Sequence, residues 1–84
     1  ERWQGHGIIT RACQALIHHA FEEMGMEKVE ISAAQENDAS RAVCERLGMV
    51  QEGVTRRAER LADRVVDHVH YGLLRDEWLR LRDL

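Results

Sequence analysis

The residues Arg2-Trp3-Gln4-Gly5-His6-Gly7 run directly into an apolar-periodic segment that begins at Ile9. Two glycines one residue apart let the backbone approach a ligand closely and take positive φ. A helix behind them presents unpaired N–H groups and about half a positive charge at its start. Together these features make an anion site suited to a pyrophosphate, to which Arg2 can add a charge-assisted hydrogen bond. The same glycines equally suit a plain tight turn before a helix. Neither common phosphate motif is present: no Gly-Lys-Ser/Thr ending follows, and Thr10 stands where the third glycine of a dinucleotide fingerprint belongs.

Other reactive side chains read more plainly. His68 and His70 are two apart and share one strand face, but no third ligand stands at a spacing that suits a metal. Cys13 and Cys44 fall on apolar faces, as buried free thiols commonly do. No histidine is positioned to make either a nucleophile. Glu59 lies among Arg56, Arg57 and Arg60, which reads as a solvated ion-pair face. His18 and His19 read as a solvated helix side, Tyr71 and Trp78 as core or interface anchors. Arg75, Arg80 and Arg82 alternate with Asp76, Glu77 and Asp83 in a mixed surface.

These residues need elements to hold them. Ile9 to Met24 reads as an amphipathic helix with Ile9, Cys13, Leu16, Ala20 and Met24 in its apolar stripe, widened by Ile17 and Phe21. Gly25 stands where a left-handed cap residue is expected. Lys28 to Ala33 alternates, with Val29, Ile31 and Ala33 on one side, which is a half-buried strand. Asn37 and Asp38 are helix-starting residues, followed by Ala39, Val43 and Leu47 on one helix side and Gly48 at its end. Met49 to Arg60 and Arg64 to Leu74 read as two strands around a turn near Ala62-Asp63. Arg75 to Leu84 closes the chain as a helix with Trp78 and Leu81 as apolar contacts. The fold class is therefore α/β, with the order helix–strand–helix–strand–strand–helix.

Composition narrows the function classes. The 84 residues carry 12 Lys+Arg against 15 Asp+Glu, a formal charge of −3 that argues against a nucleic-acid module. With 44% hydrophobic residues the composition is globular rather than disordered. No run reaches the ~18 apolar residues of a membrane span, so no membrane partner is expected. Two cysteines make no disulfide scaffold and fit a reducing cytoplasm. A chain this short buries only about 60% of its unfolded surface. It begins at Glu1 with no element leading into the glycine turn, and reads as part of a longer protein.

Arg2-x-x-Gly5-x-Gly7 resembles the signature of the GNAT superfamily of acetyl-CoA-dependent N-acetyltransferases. The string Trp3-Gln4-Gly5-His6-Gly7-Ile8-Ile9-Thr10 is similar to its RimJ/RimL type, the ribosomal-protein serine and alanine acetyltransferases. Asn37-x-x-Ser40, Glu45-Arg46-Leu47-Gly48-Met49, Glu52-Gly53, Ala58-Glu59-Arg60-Leu61 and Asp67-His68 to Tyr71-Gly72-Leu73-Leu74 agree with that type in order and spacing. The resemblance covers nearly the whole chain. It implies that residues 1–84 are the C-terminal part of one acetyltransferase domain whose N-terminal strands are absent. In the family a strand before the glycine turn splays from the next strand, and the cofactor wedges between them. Without it the strand from Lys28 to Ala33 exposes an edge that proteins normally protect, which suggests a homodimer or a lost complement.

The resemblance also implies site residues. Acetyl transfer from a thioester needs a neutral amine, an oxyanion donor and an acid for the thiolate. By this likeness the backbone of Gln4, Gly5, His6, Gly7, Ile8 and Thr10 holds the pyrophosphate of acetyl-CoA, with Arg2 nearby. Asn37 bonds the pantetheine arm, Ser40 is the acid beside the cofactor sulfur, and Glu59 is the general base. Many members carry a tyrosine seven residues after that asparagine, where this chain has Cys44; the departure favours Ser40. The oxyanion donor belongs to the absent strand, and no metal is implied. The expected activity is transfer of acetyl to a primary amine, foremost the N-terminal amine of a ribosomal protein, with a polyamine or small amine as the alternative acceptor. The 84 residues alone are expected to be inactive. A self-associating, non-catalytic interaction module is the competing class.

Overall fold

The computed structural model describes the backbone of residues 2–83 and the side chains of residues 7–83. Its elements are α1 (Arg2–Glu22), β1 (Lys28–Ala34), α2 (Asp38–Arg46), β2 (Val50–Arg60), β3 (Val65–Leu74) and α3 (Arg75–Arg82). The described strands form one antiparallel sheet in the order β1-β3-β2. The helix-and-strand order is the one the sequence predicts.

The sheet is buried on one face. Val69, Tyr71 and Leu73 alternate along the central strand β3 and are each 1% exposed. They meet Ile17 and Phe21 of α1, Val43 and Cys44 of α2 with Leu47 at its C-cap, and Trp78 of α3 in a single core. Val29 and Ile31 of β1 pack at its margin. Trp78 ties the terminal helix to the first: its ring stacks on Phe21 at 5.0 Å and meets the edge of His18 at 5.7 Å. The Arg82 guanidinium lies 4.9 Å over the same indole and pairs with Glu22.

Two features of α1 differ from expectation. The helix starts at Arg2 instead of near Ile9, so Gly5-His6-Gly7 is helical rather than a turn. Glycine costs a helix only ~1 kcal/mol relative to alanine, and the segment contains no proline to stop it. The buried stripe is also rotated. Cys13, Ile17 and Phe21 face the sheet, whereas Ile9, Leu16 and Met24 are 51%, 69% and 57% exposed. Ile8 joins that second apolar stripe at 67% exposed. The helix therefore carries two apolar faces, only one of which the described residues cover.

The ends of the elements follow local chemistry. Gly25 takes φ +67° after α1, as predicted, and the Arg75 side chain donates to the carbonyls of Phe21 at 2.6 Å and Met26 at 3.1 Å. Arg75 thus caps the C-terminal end of α1, where a cation suits the helix dipole, and is not part of a mixed surface. Asn37 caps α2 by accepting the Ser40 N–H at 3.1 Å. Glu77 accepts the Leu74 N–H at 2.8 Å at the start of α3.

The β2–β3 turn spans residues 61–64, closed by Leu61 N–H to the Arg64 carbonyl at 2.7 Å. Arg64 Nε also donates to Glu36 at 2.9 Å, tying this turn to the loop after β1. The pair holds the Glu36 carboxyl below its ordinary pKa. The β2–β3 register shifts twice, between Gln51 and Gly53 and between Thr55 and Glu59. In the second shift Arg57 takes φ +52° and gives its N–H to Asp67 at 2.8 Å.

Gly48 ends α2 with φ +78°, and a Cβ there would lie 2.7 Å from Leu81 Cδ1. A left-handed alanine costs ~1–2 kcal/mol, and Leu81 must also move. Gly48→Ala is therefore expected to lower stability by at least ~1 kcal/mol, read as a lower urea midpoint at unchanged m-value.

Candidate active site

A groove of about 180 Å³ runs between α1, β1 and α2. Ile9 and Cys13 line it from α1, Ile31 and Ser32 from β1, and Ala39, Ser40, Val43 and Cys44 from α2. Consecutive strand residues point to opposite faces, so a groove that touches both Ile31 and Ser32 reaches the edge of β1. Among the described strands that edge is unpaired, because β1 pairs only with β3. The groove is mostly apolar, with the half-buried Ser40 as one of its few polar groups.

Asn37 and Ser40 are brought together in the first turn of α2 by the cap hydrogen bond. Cys44 lies one helical turn beyond Ser40 on the same wall and is 1% exposed. Burial pushes its thiol pKa up, with smaller contributions from Cys13 and Glu45. Cys44 is thus kept as a neutral thiol. Cys13 is partly buried on the facing wall.

The outer face of the sheet is polar. His70 Nδ1 is 2.7 Å from Ser32 Oγ on β1, and its Nε2 is 2.6 Å from Thr55 Oγ1 on β2. His68 Nε2 lies 2.9 Å from Glu59 Oε1. Glu59 therefore has a histidine partner where an arginine face was expected, and stands on the side of the sheet away from Ser40. Further along, Lys28 pairs with Glu52 at 2.8 Å and Glu30 at 3.1 Å. These two carboxylates, Glu52 foremost, raise the lysine pKa and favour its charged form. Neither histidine is grouped with enough other donors to hold a metal ion among the described residues.

The glycine segment stands differently. With α1 beginning at Arg2, the N–H groups of Gly7, Ile8 and Thr10 lie inside the helix and not at its mouth. The side chains of Arg2, Gln4 and His6 lie outside the described residues. Ser32, Thr55 and His70 were missed as a set by sequence reasoning. Their outward alternation was visible, but their meeting depends on strand register.

A helix-backed sheet with a groove at an open strand edge, on residues that carry a glycine-rich helix start, defines the class. The GNAT acetyltransferase domain matches residues 1–50, and the chain belongs to that family. It is 45% identical over 78 residues to YdaF of Bacillus subtilis, named provisionally as a ribosomal N-acetyltransferase, covering 93% of this chain and 43% of that protein. It is 40% identical over 63 residues to the ribosomal-protein-serine acetyltransferase of Escherichia coli, covering 75% of this chain and 35% of that protein. The crystal structure of a probable acetyltransferase superposes with a TM-score of 0.86 at 45% identity, over 93% of this chain and 44% of that one. The chain spans less than half the length of these relatives.

The unequal environments of the two thiols are directly testable. Iodoacetamide at neutral pH is expected to label Cys13 before Cys44 in the native protein, and both at similar rates in urea. Peptide mass mapping over time checks the order, since only the thiolate reacts.

Proposed function

We propose that this chain is the cofactor-binding part of an N-acetyltransferase that moves acetyl from acetyl-CoA to a primary amine. Supporting this is the groove lined by Ser40 at the open edge of β1, in a chain of the GNAT family. The apolar lining from Ile9, Ile31 and Val43 suits the pantetheine arm of acetyl-CoA. Asn37 and Ser40 stand at the wall that the arm passes. Ser40 is the proton donor to the departing thiolate, a role that Cys44, buried and lacking an activating partner, supports only as packing.

The acceptor we propose is the N-terminal amine of a ribosomal protein, on the strength of the two relatives' names. Glu59 is the general base: standing on β2, beyond β3 from the edge of β1, it takes the proton through solvent over the outer face, and its hydrogen bond to His68 keeps the carboxylate oriented. Amine and thioester then meet at the edge of β1, the amine from the outer face of the sheet and the thioester from the groove. Placing both reactants supplies much of the rate. Attack forms the C–N bond and expels CoA without a covalent enzyme intermediate.

The diphosphate is held by the backbone from Gln4 to Ile8 and Thr10, with Arg2 beside it. For that to happen residues 2–7 leave the helix and form a turn. Gly5 and Gly7 weaken those turns by ~1 kcal/mol each, and nothing within 4 Å of a Cβ at Gly7 requires a glycine there in the helical form. Gly7 thus has a use in the turn and none in the helix. We propose the cytoplasm as the place of action, consistent with two free thiols.

The test is a mass-spectrometric assay of the full-length protein with acetyl-CoA and three acceptors: peptides with the N-terminal residues of ribosomal proteins, spermidine, and a lysine-containing peptide blocked at its N-terminus. The expected result is a +42 Da product on the free N-terminal peptides foremost. Ser40→Ala is expected to lower kcat by roughly 10²-fold. Preference for spermidine would move the acceptor to polyamines. Absence of transfer together with a concentration-dependent dimer would favour the interaction module.

A further inference from the structure

The outer sheet face holds a second basic group. Primary-amine acetylation removes two protons from the nitrogen: one from the ammonium before attack, one from the tetrahedral adduct. Glu59 is one acceptor on the proposed reading. The Ser32–His70–Thr55 row is a second, independent one, and it touches the groove. Ser32 both lines the groove at the edge of β1 and lies 2.7 Å from His70 Nδ1. Glu59, by contrast, stands on β2 at the far side of β3 from that edge.

We infer that Ser32 and His70 form a proton relay for the acceptor amine, an inference that rests on the acetyltransferase reading. Ser32 is the catalytic residue, since its hydroxyl touches the nitrogen, and His70 is the positioning residue that acts through it. In the working tautomer His70 Nε2–H donates to Thr55 Oγ1, and Ser32 Oγ–H donates to Nδ1. The amine N–H bond breaks as its proton passes to Ser32 Oγ. The Ser32 proton moves to Nδ1 in the same step, leaving a neutral serine and an imidazolium. The nitrogen keeps the electron pair, which forms the C–N bond to the thioester carbon; the adduct then collapses, the C–S pair leaving on sulfur, which Ser40 protonates. The proton then passes from the imidazolium to solvent.

Charged groups share the outer face with His70. On its own strand the same face carries His68, paired with Glu59, and Gly72. Glu52 of β2 packs over Gly72, where its carboxyl would lie 2.6 Å from a Cβ. On β1 the neighbours of Ser32 on this face are Glu30 and Lys28, which pair with each other, and Lys28 pairs with Glu52 as well. On β2 Gly53 stands opposite His70, and Thr55, opposite His68, reaches the His70 ring diagonally through its hydroxyl. Among the described residues Glu30, Glu52, Glu59 and Lys28 are thus the charged groups placed around this row. Ser32 and Thr55 fix the orientation of the ring from both sides.

Steady-state kinetics and CoA calorimetry on the full-length protein test the relay. His70→Gln keeps hydrogen bonding but cannot carry the proton, and Ser32→Ala removes the contact atom. Each is expected to lower kcat by roughly 10²-fold, to leave the Kd for CoA within about twofold, and to change the slope of the acid limb of kcat against pH. Imidazole in the buffer is expected to restore turnover to His70→Ala and not to Ser32→Ala. Wild-type kcat and pH profile in His70→Gln or Ser32→Ala, with CoA binding intact, overturn the relay and leave the transferase reading standing. A wild-type protein that neither binds CoA nor acetylates any amine overturns both.

Discussion

The constraint on which the rest depends is that, among the described residues, the helices cover one face of the sheet. Val69, Tyr71 and Leu73 bury one side of the central strand under α1, α2 and α3. Strand alternation then fixes the other side as the place for His68, His70 and Ser32. Because β3 lies between β1 and β2, it spans the distance between the groove edge and Glu59. The core thus sets the register that aligns the polar residues. Tyr71 shows the coupling: it is 1% exposed, yet its hydroxyl accepts from Arg41 of α2 at 3.1 Å, joining the groove wall to the strand that carries His70.

A second tension lies at the first helix. Local propensity permits a helix through Gly5 and Gly7 at modest cost, whereas anion binding asks the same residues to stand at a helix mouth. Relative to alanines, the two glycines weaken the helix there by ~2 kcal/mol, which eases a change to the turn driven by ligand binding. The exposed stripe of Ile8, Ile9 and Leu16 on α1 belongs to the same picture, for an apolar face of this kind is normally covered by protein.

Much of this architecture was legible in the sequence because its signals are local. Gly25 and Gly48 mark the ends of helices by positive φ, Asn37 caps the second helix, and alternation from Lys28 to Ala33 marks a strand buried on one side. The RimJ/RimL-type strings carried the family. What stayed hidden depends on tertiary placement. Two apolar stripes lie on α1, and only packing decides that Cys13, Ile17 and Phe21 form the buried one. The pairing of Glu59 with His68 depends on a register shift at Arg57, which no composition signal announces. Arg75 and Arg82 read as solvated charge because their partners, the Phe21 carbonyl and Glu22, stand more than fifty residues away. The helical form of Gly5-His6-Gly7 was missed for the opposite reason: the chemistry of the motif pointed to a turn, and nothing local forbade a helix.

The central claim is that residues 2–7 serve a CoA diphosphate as a turn. Isothermal titration of CoA into the full-length protein and its Gly7→Ala variant, with urea unfolding of each, tests it most directly. The account predicts saturable binding by the wild type, at least tenfold weaker binding by the variant (about 1.4 kcal/mol), and undiminished stability of the variant, since alanine favours the helix. Equal affinities, or no binding by the wild-type protein, would contradict it.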